Sequence, residues 1–121
     1  MERFKSLKAY EFAFAQANEV FEWSKFLPKE ENFGLSSQIR RSSRAVCSNI
    51  AEGYRKRIYR AYFISKLTDA DAENSETSVW LDFARTNGYL NSEEYSMFIA
   101  RNRDVGRLLG FMIHNPDKFR I

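Results

Sequence analysis

The sequence predicts an all-α protein: one up-down-up-down antiparallel four-helix bundle forming a single domain over residues 1–121. Three observations predict it. Apolar residues recur at three- and four-residue steps through four segments, short polar stretches with Pro28, Gly53 and Gly88 separate them, and no strand pattern or internal repeat competes. A chain of 121 residues supports one core and is too short for two. Its 44% apolar and 16% aromatic content excludes a disordered chain.

The first helix is expected from about Ser6 to about Phe26, with Leu7, Tyr10, Phe14, Ala17 and Phe21 facing the core until Pro28 stops it. A helical turn of about 100° per residue sets Phe12 and Trp23 nearly opposite Phe14, so a free monomer exposes both rings. They read either as isolated surface aromatics or as anchors of a subunit contact. The basic start and the alanines that follow imitate a secretory leader, but Glu11, Asn18 and Glu19 interrupt it. No stretch approaches the ~18 uninterrupted apolar residues of a membrane span. The expectation is a cytoplasmic protein with no membrane partner. Cys47 is the single cysteine, which rules out an intrachain disulfide and reads as a core thiol in a reducing compartment.

The short polar linker around PKEEN returns the chain antiparallel into a second helix, SQIRRSSRAVCSNIAEG, from Ser37 to Gly53. On a helical wheel Ile39, Ser42, Ser43, Val46, Ile50 and Gly53 share the core side, while Arg41, Arg44, Ser48 and Arg55 gather on the other and Arg40 also leaves the core. Gly53 suits the left-handed cap that ends a helix. Small Ala45, Ser48 and Ala51 leave the outer side low enough for a neighbouring helix.

The run YRKRIYR follows, with Arg55, Lys56, Arg57 and Arg60 interleaved with Tyr54 and Tyr59. Basic residues with aromatics between them grip phosphates and stack on exposed bases. The plainer reading is a solvated helix end whose cations complement the helix dipole.

The third helix is expected from about Ile58 to Thr86, with Phe63, Leu67, Ala70, Asn74, Thr77, Leu81 and Ala84 as a bundle seam. Asn74 and Thr77 need buried partners, for which Ser42 and Asn49 are candidates. Asp69, Glu73, Glu76 and Trp80 form an acidic stripe ending in an aromatic. Two glutamates three apart are a weak metal signal without a Glu-x-x-His partner motif, and the only histidine is His114, so no metal or cofactor is expected. Gly88 ends this helix, and Asn91 with Glu94 has capping-box spacing at the start of a fourth, whose stripe is Tyr95, Ile99, Asn102, Gly106, Leu109 and Ile113 before Pro116. Gly106 and Gly110 permit close helix packing.

SQIRRSSRAVCSNIAEG resembles the signature of the four helix bundle proteins first recognised as reading frames in intervening sequences of bacterial 23S ribosomal RNA genes. PKEE at Pro28 to Glu31 and NGYL at Asn87 to Leu90 are similar to that family too. The resemblance implies a ring-forming oligomer, typically a homopentamer, without established enzymatic activity. It also implies kinship with the accessory variability determinant proteins of diversity-generating retroelements, basic rings that bind a reverse transcriptase and nucleic acid. Two departures stand out: Ser42 and Ser43 occupy a commonly Ala-Ala position, and Ala72-Glu73 a commonly Gly-Ser one.

A ring joins two different patches of each protomer. Phe12, Trp23 and Trp80 are the candidate anchors, with Arg41 and Arg44 expected to pair with Glu73 or Glu76 of a neighbour. A formal charge of +3 permits anionic partners without requiring them. The first functional expectation is a non-catalytic oligomeric nucleic-acid-binding or adaptor protein that uses Arg55, Lys56, Arg57, Arg60, Arg40, Arg41 and Arg44 on RNA or DNA backbone. The alternative is a structural ring that recruits a protein partner and uses its arginines in subunit contacts. An enzyme is not expected, because no nucleophile with a base and no convergent acid pair is present.

Overall fold

Four interrupted runs of helix set the architecture, and the computed structural model describes them over residues 3–119. A 3-10 turn, Arg3–Ser6, leads into α1 (Lys8–Ser24), followed by α2 (Leu35–Arg55), α3 (Arg60–Thr86) and α4 (Ser92–His114), with a last 3-10 turn at Pro116–Phe119. Each helix packs antiparallel to the one before it, and α4 closes back on α1. The contact between α2 and α3 is the most extensive. Among the described residues no helix is long and apolar enough to cross a membrane.

The connections follow from local chemistry. Pro28 holds φ −65° and ψ 156° and opens a short turn, Lys29–Glu31. Glu31 then accepts the Leu35 N–H at 3.0 Å, satisfying one of the orphan donors at the start of α2. At the end of α3, Gly88 takes φ +83°, while the Tyr89 N–H donates to the Ala84 carbonyl and the Gly88 N–H to that of Arg85. This is a complete Schellman cap, with glycine at the position that needs a left-handed conformation. Asn91 and Glu94 form the reciprocal capping box, at 2.8 and 2.9 Å. PKEE and NGYL meet in space: the Tyr89 hydroxyl donates to Glu31 at 3.0 Å, and the Trp23 indole donates to the Tyr89 carbonyl at 3.3 Å.

The interior has two apolar clusters. One contains Phe63, Leu67, Val46, Ile50 and Leu109, near the chain termini; the other contains Val20, Ile39, Leu81, Leu90 and Ile99, at the opposite end. A buried polar layer links α1, α3 and α4. Gln16 donates to Asn74 at 3.0 Å, Asn102 donates to Gln16 at 2.9 Å, and Asn74 donates to the Asn102 carbonyl at 3.0 Å. Ser42 and Thr77 join α2 to α3 at 2.8 Å. Removing one member strands its partner at a cost of about 1–3 kcal/mol, so the layer fixes helix register. Ser42 is the expected partner of Thr77, whereas Asn74 turns to Gln16 and Asn102 rather than to Asn49.

The expected seam of α3 is buried at all seven positions, and the core side of α2 likewise. Three expectations need correction. In α1 the buried face is Ala9, Ala13, Gln16, Ala17, Val20 and Ser24, and Phe14 is 53% exposed. Small residues let α1 approach the bundle axis, and its rings cover the flanking seams. Gly53 lies inside α2, which continues to Arg55; a Cβ there would sit 2.9 Å from Lys66 Cβ, so this glycine permits close approach to α3. In α4 the buried face includes Val105 and Met112, with Gly106 and Ile113 at its edge.

Candidate nucleic-acid interface

Antiparallel packing decides which charges meet. The end of α2 and the start of α3 lie at the same end of the bundle as the start of α1 and the end of α4. Arg55, Lys56, Arg57 and Arg60 therefore share that end with Lys5, Lys8 and Lys118, with Asp117 among the few carboxylates there. The opposite end carries Glu22, Glu30, Glu31, Asp82, Glu93 and Glu94 against Lys25, Lys29 and Arg85. The molecule has a cationic pole and an anionic one.

A turn between α2 and α3 builds the centre of the cationic pole. The Arg57 N–H donates to the Tyr54 carbonyl at 3.3 Å and the Tyr59 N–H to that of Lys56 at 2.9 Å. The Arg57 guanidinium lies 3.9 Å from the centre of the Tyr54 ring and also donates to the Tyr54 carbonyl at 2.9 Å. Lys56 sits 4.9 Å over the Tyr62 ring. Arg60 reaches Asp117 at 3.1 Å, with both side chains 62% exposed. Arg55 is exposed and makes no ion pair among the described residues. The run that the sequence singled out thus stays together, with Arg55, Lys56 and Arg60 exposed around the half-buried Arg57 and Tyr54.

The middle of α2 differs. Arg40 donates to Ser24 at 2.7 Å, and both Arg40 and Arg44 lie over the Phe21 ring, at 4.7 and 5.2 Å. Arg41 engages Glu73 at 3.3 Å and also Glu76, which in turn accepts the Trp80 indole N–H. The hydrogen bond with Glu73, with lesser support from the charges of both glutamates, holds the Arg41 guanidinium more firmly protonated than usual. Arg41 thus meets both glutamates expected of a neighbouring subunit within one chain, where α2 and α3 lie side by side. Glu52 and Lys66 make the next link of the same seam at 2.8 Å.

The expected exposure of Phe12 and Trp23 is corrected as well. Both are half-buried: Phe12 packs on the core beneath the Arg101 guanidinium, 5.3 Å away, and Trp23 packs on Phe98 at 5.8 Å. Trp23 instead helps to line a groove of about 640 Å³ between α1 and α4, with Phe26, Met97 and Phe98, rimmed by Glu19, Glu94, Arg101 and Asp104. Phe26 is 87% and Met97 71% exposed there. The sequence did not announce this groove, because its walls come from helices separated by the rest of the chain.

Comparison with known proteins places this architecture. A solved structure of a protein of unknown function from the S23 ribosomal protein family of Bacteroides thetaiotaomicron is similar, with a TM-score of 0.79 and 29% identity, over 87% of this chain and 97% of that one. No curated protein matches the chain. Residues 5–110 match the family described as 23S rRNA-intervening sequence protein. Since that match spans most of the four helices, the chain belongs to the 23S rRNA-intervening sequence protein family.

Proposed function

We propose that the chain is a non-catalytic, oligomeric nucleic-acid-binding or adaptor protein whose cationic pole contacts RNA or DNA backbone. The observation that carries this reading is the exposed Arg55, Lys56 and Arg60 gathered around the half-buried Arg57, beyond the last ion pair of the α2–α3 seam. Arg55 and Lys56 make no ion pair among the described residues and Arg60 meets only the exposed Asp117, so these cations are open to phosphates, whose contacts release counterions. Arg40 and Arg41, tied to Ser24 and to Glu73 and Glu76, serve the fold rather than a ligand. Arg44, exposed beside Phe21, remains available to a ligand or a neighbouring subunit. Fluorescence anisotropy with labelled RNA and DNA across a salt series tests the reading. Affinity that falls steeply with salt supports it, and affinity indifferent to salt overturns it.

The groove between α1 and α4 favours a second reading, a ring that recruits a protein partner. An exposed apolar surface such as that of Phe26 and Met97 marks an interaction site. The homopentamer implied by the resemblance, and a reverse transcriptase as partner, belong to this proposal. Light scattering gives the assembly, and Arg44→Glu is expected to reduce its mass if Arg44 serves a subunit contact. A pull-down repeated after nuclease treatment separates a protein partner from one bridged by nucleic acid.

A further inference from the structure

Three tyrosines around the α2–α3 turn, Tyr54 in α2, Tyr59 on the turn and Tyr62 in α3, are in different states. Tyr54 is covered by the Arg57 guanidinium at 3.9 Å and by the edge of Phe63 at 6.3 Å. Tyr62 lies under Lys56. Tyr59 is 65% exposed, and among the described residues its side chain makes no hydrogen bond and no ring contact. Ile58 beside it is 69% exposed, so the turn places two successive apolar side chains outside the core. An isolated exposed ring is ordinary. This one stands on a turn fixed by backbone hydrogen bonds and flanked by Arg55, Lys56 and Arg60.

We infer that the ligand of the cationic pole is single-stranded nucleic acid, with Tyr59 as the platform on which an unpaired base stacks. This rests on the nucleic-acid reading above and narrows it. A duplex offers the cations its phosphates, but its base faces are already stacked on one another and give Tyr59 nothing to cover. A single strand offers both a charged backbone and free base faces, which is the pairing of groups that the turn displays. Because every base has such a face, the contact is tolerant of sequence and contributes affinity rather than selectivity among bases.

The test uses the full chain and labelled oligomers of about 16 nucleotides: single-stranded RNA, single-stranded DNA, a duplex, and an abasic strand of equal charge. The intact single strands are expected to bind about tenfold more tightly than the abasic strand. Tyr59→Ala should abolish that advantage while leaving the salt dependence intact, and Tyr59→Phe should retain it. The RNA and DNA arms identify the natural backbone. Circular dichroism melts confirm that both variants fold, as an exposed side chain allows. Salt-dependent binding that treats intact, abasic and duplex ligands alike, unchanged by Tyr59→Ala, overturns the stacking inference and leaves the phosphate reading standing. Absence of salt-dependent binding to every oligomer overturns both.

Discussion

Arg41 and Arg55 project from the outer side of the same helix, yet only Arg41 meets carboxylates. Alongside the middle of α2, α3 supplies Glu73 and Glu76; further along, the pairing reverses sign in Glu52 with Lys66; beyond that, the seam runs out. Past this point the chain turns, and Arg55, Lys56, Arg57 and Arg60 have tyrosine rings, one exposed carboxylate or water for neighbours. An arginine's role in this molecule is set by its height along the bundle. The enclosed section ties its arginines to the neighbouring helix, and the open end leaves Arg55 and Lys56 without a carboxylate among the described residues.

The largest expected contrast is chemical. Cys47 lies on the enclosed section of α2, partly buried beside the core, and burial pushes its thiol from the ordinary 9.0 to about 11. At pH 8 its thiolate fraction is then about a hundredfold lower than in the unfolded chain, so iodoacetamide should alkylate the folded protein about a hundredfold more slowly than the urea-unfolded one. The raised value favours the neutral thiol in the folded state. Its stabilisation is therefore complete below about pH 9 and is lost as pH climbs toward about 11. Alkylation at the unfolded rate would show that packing against the core does not protect the Cys47 thiol.

At the open end, the double variant Arg55→Glu and Arg60→Glu should weaken nucleic-acid binding about thirtyfold and lower the slope of log affinity against log salt by about 2. Its melting temperature should move by less than about 2 °C, since neither residue holds the core. A large fall in melting temperature would mean that the pole is structural and would dissolve the contrast.

Arg41→Ala should do the reverse. The pair is partly exposed, with Arg41 at 48%, Glu73 at 25% and Glu76 at 38%, and solvent screening limits its contribution to about 0.5–1 kcal/mol. Thermal melts should show a fall of about 2–5 °C, with nucleic-acid affinity unchanged.

These contrasts also show where the sequence was legible. The seam of α3 stands out because its seven inward positions form one repeat with no rival, and all seven are buried. In α1 two stripes compete. The aromatic one carries more apolar area, but the alanine and valine stripe goes inside because small side chains permit the closer approach; Phe14 is left outside and Phe21 becomes a platform for Arg40 and Arg44. The basic run from Arg55 to Arg60 was visible as a cluster, since neighbours on one turn stay together in any fold. Which arginines were already engaged was not visible, because the partners of Arg41 stand 32 and 35 residues away and only the register of α2 against α3 brings them alongside.

The smallest expected effect concerns the one carboxylate that intrudes on the open end. Asp117 pairs with Arg60 at 3.1 Å, but both side chains are so exposed that the pair contributes little to folding. If the pole binds nucleic acid as proposed, the effect falls on the ligand instead, because a phosphate would have to displace Asp117 before reaching Arg60. Asp117→Asn removes the competing charge and makes the pole more cationic, so nucleic-acid affinity should rise about twofold while the melting temperature stays constant within about 1 °C. Anisotropy at low salt is the sensitive measurement, and the gain should shrink as salt screens the pole. If affinity falls instead, Arg60 needs Asp117 to hold it in place, and the open end is more preorganised than its exposure implies.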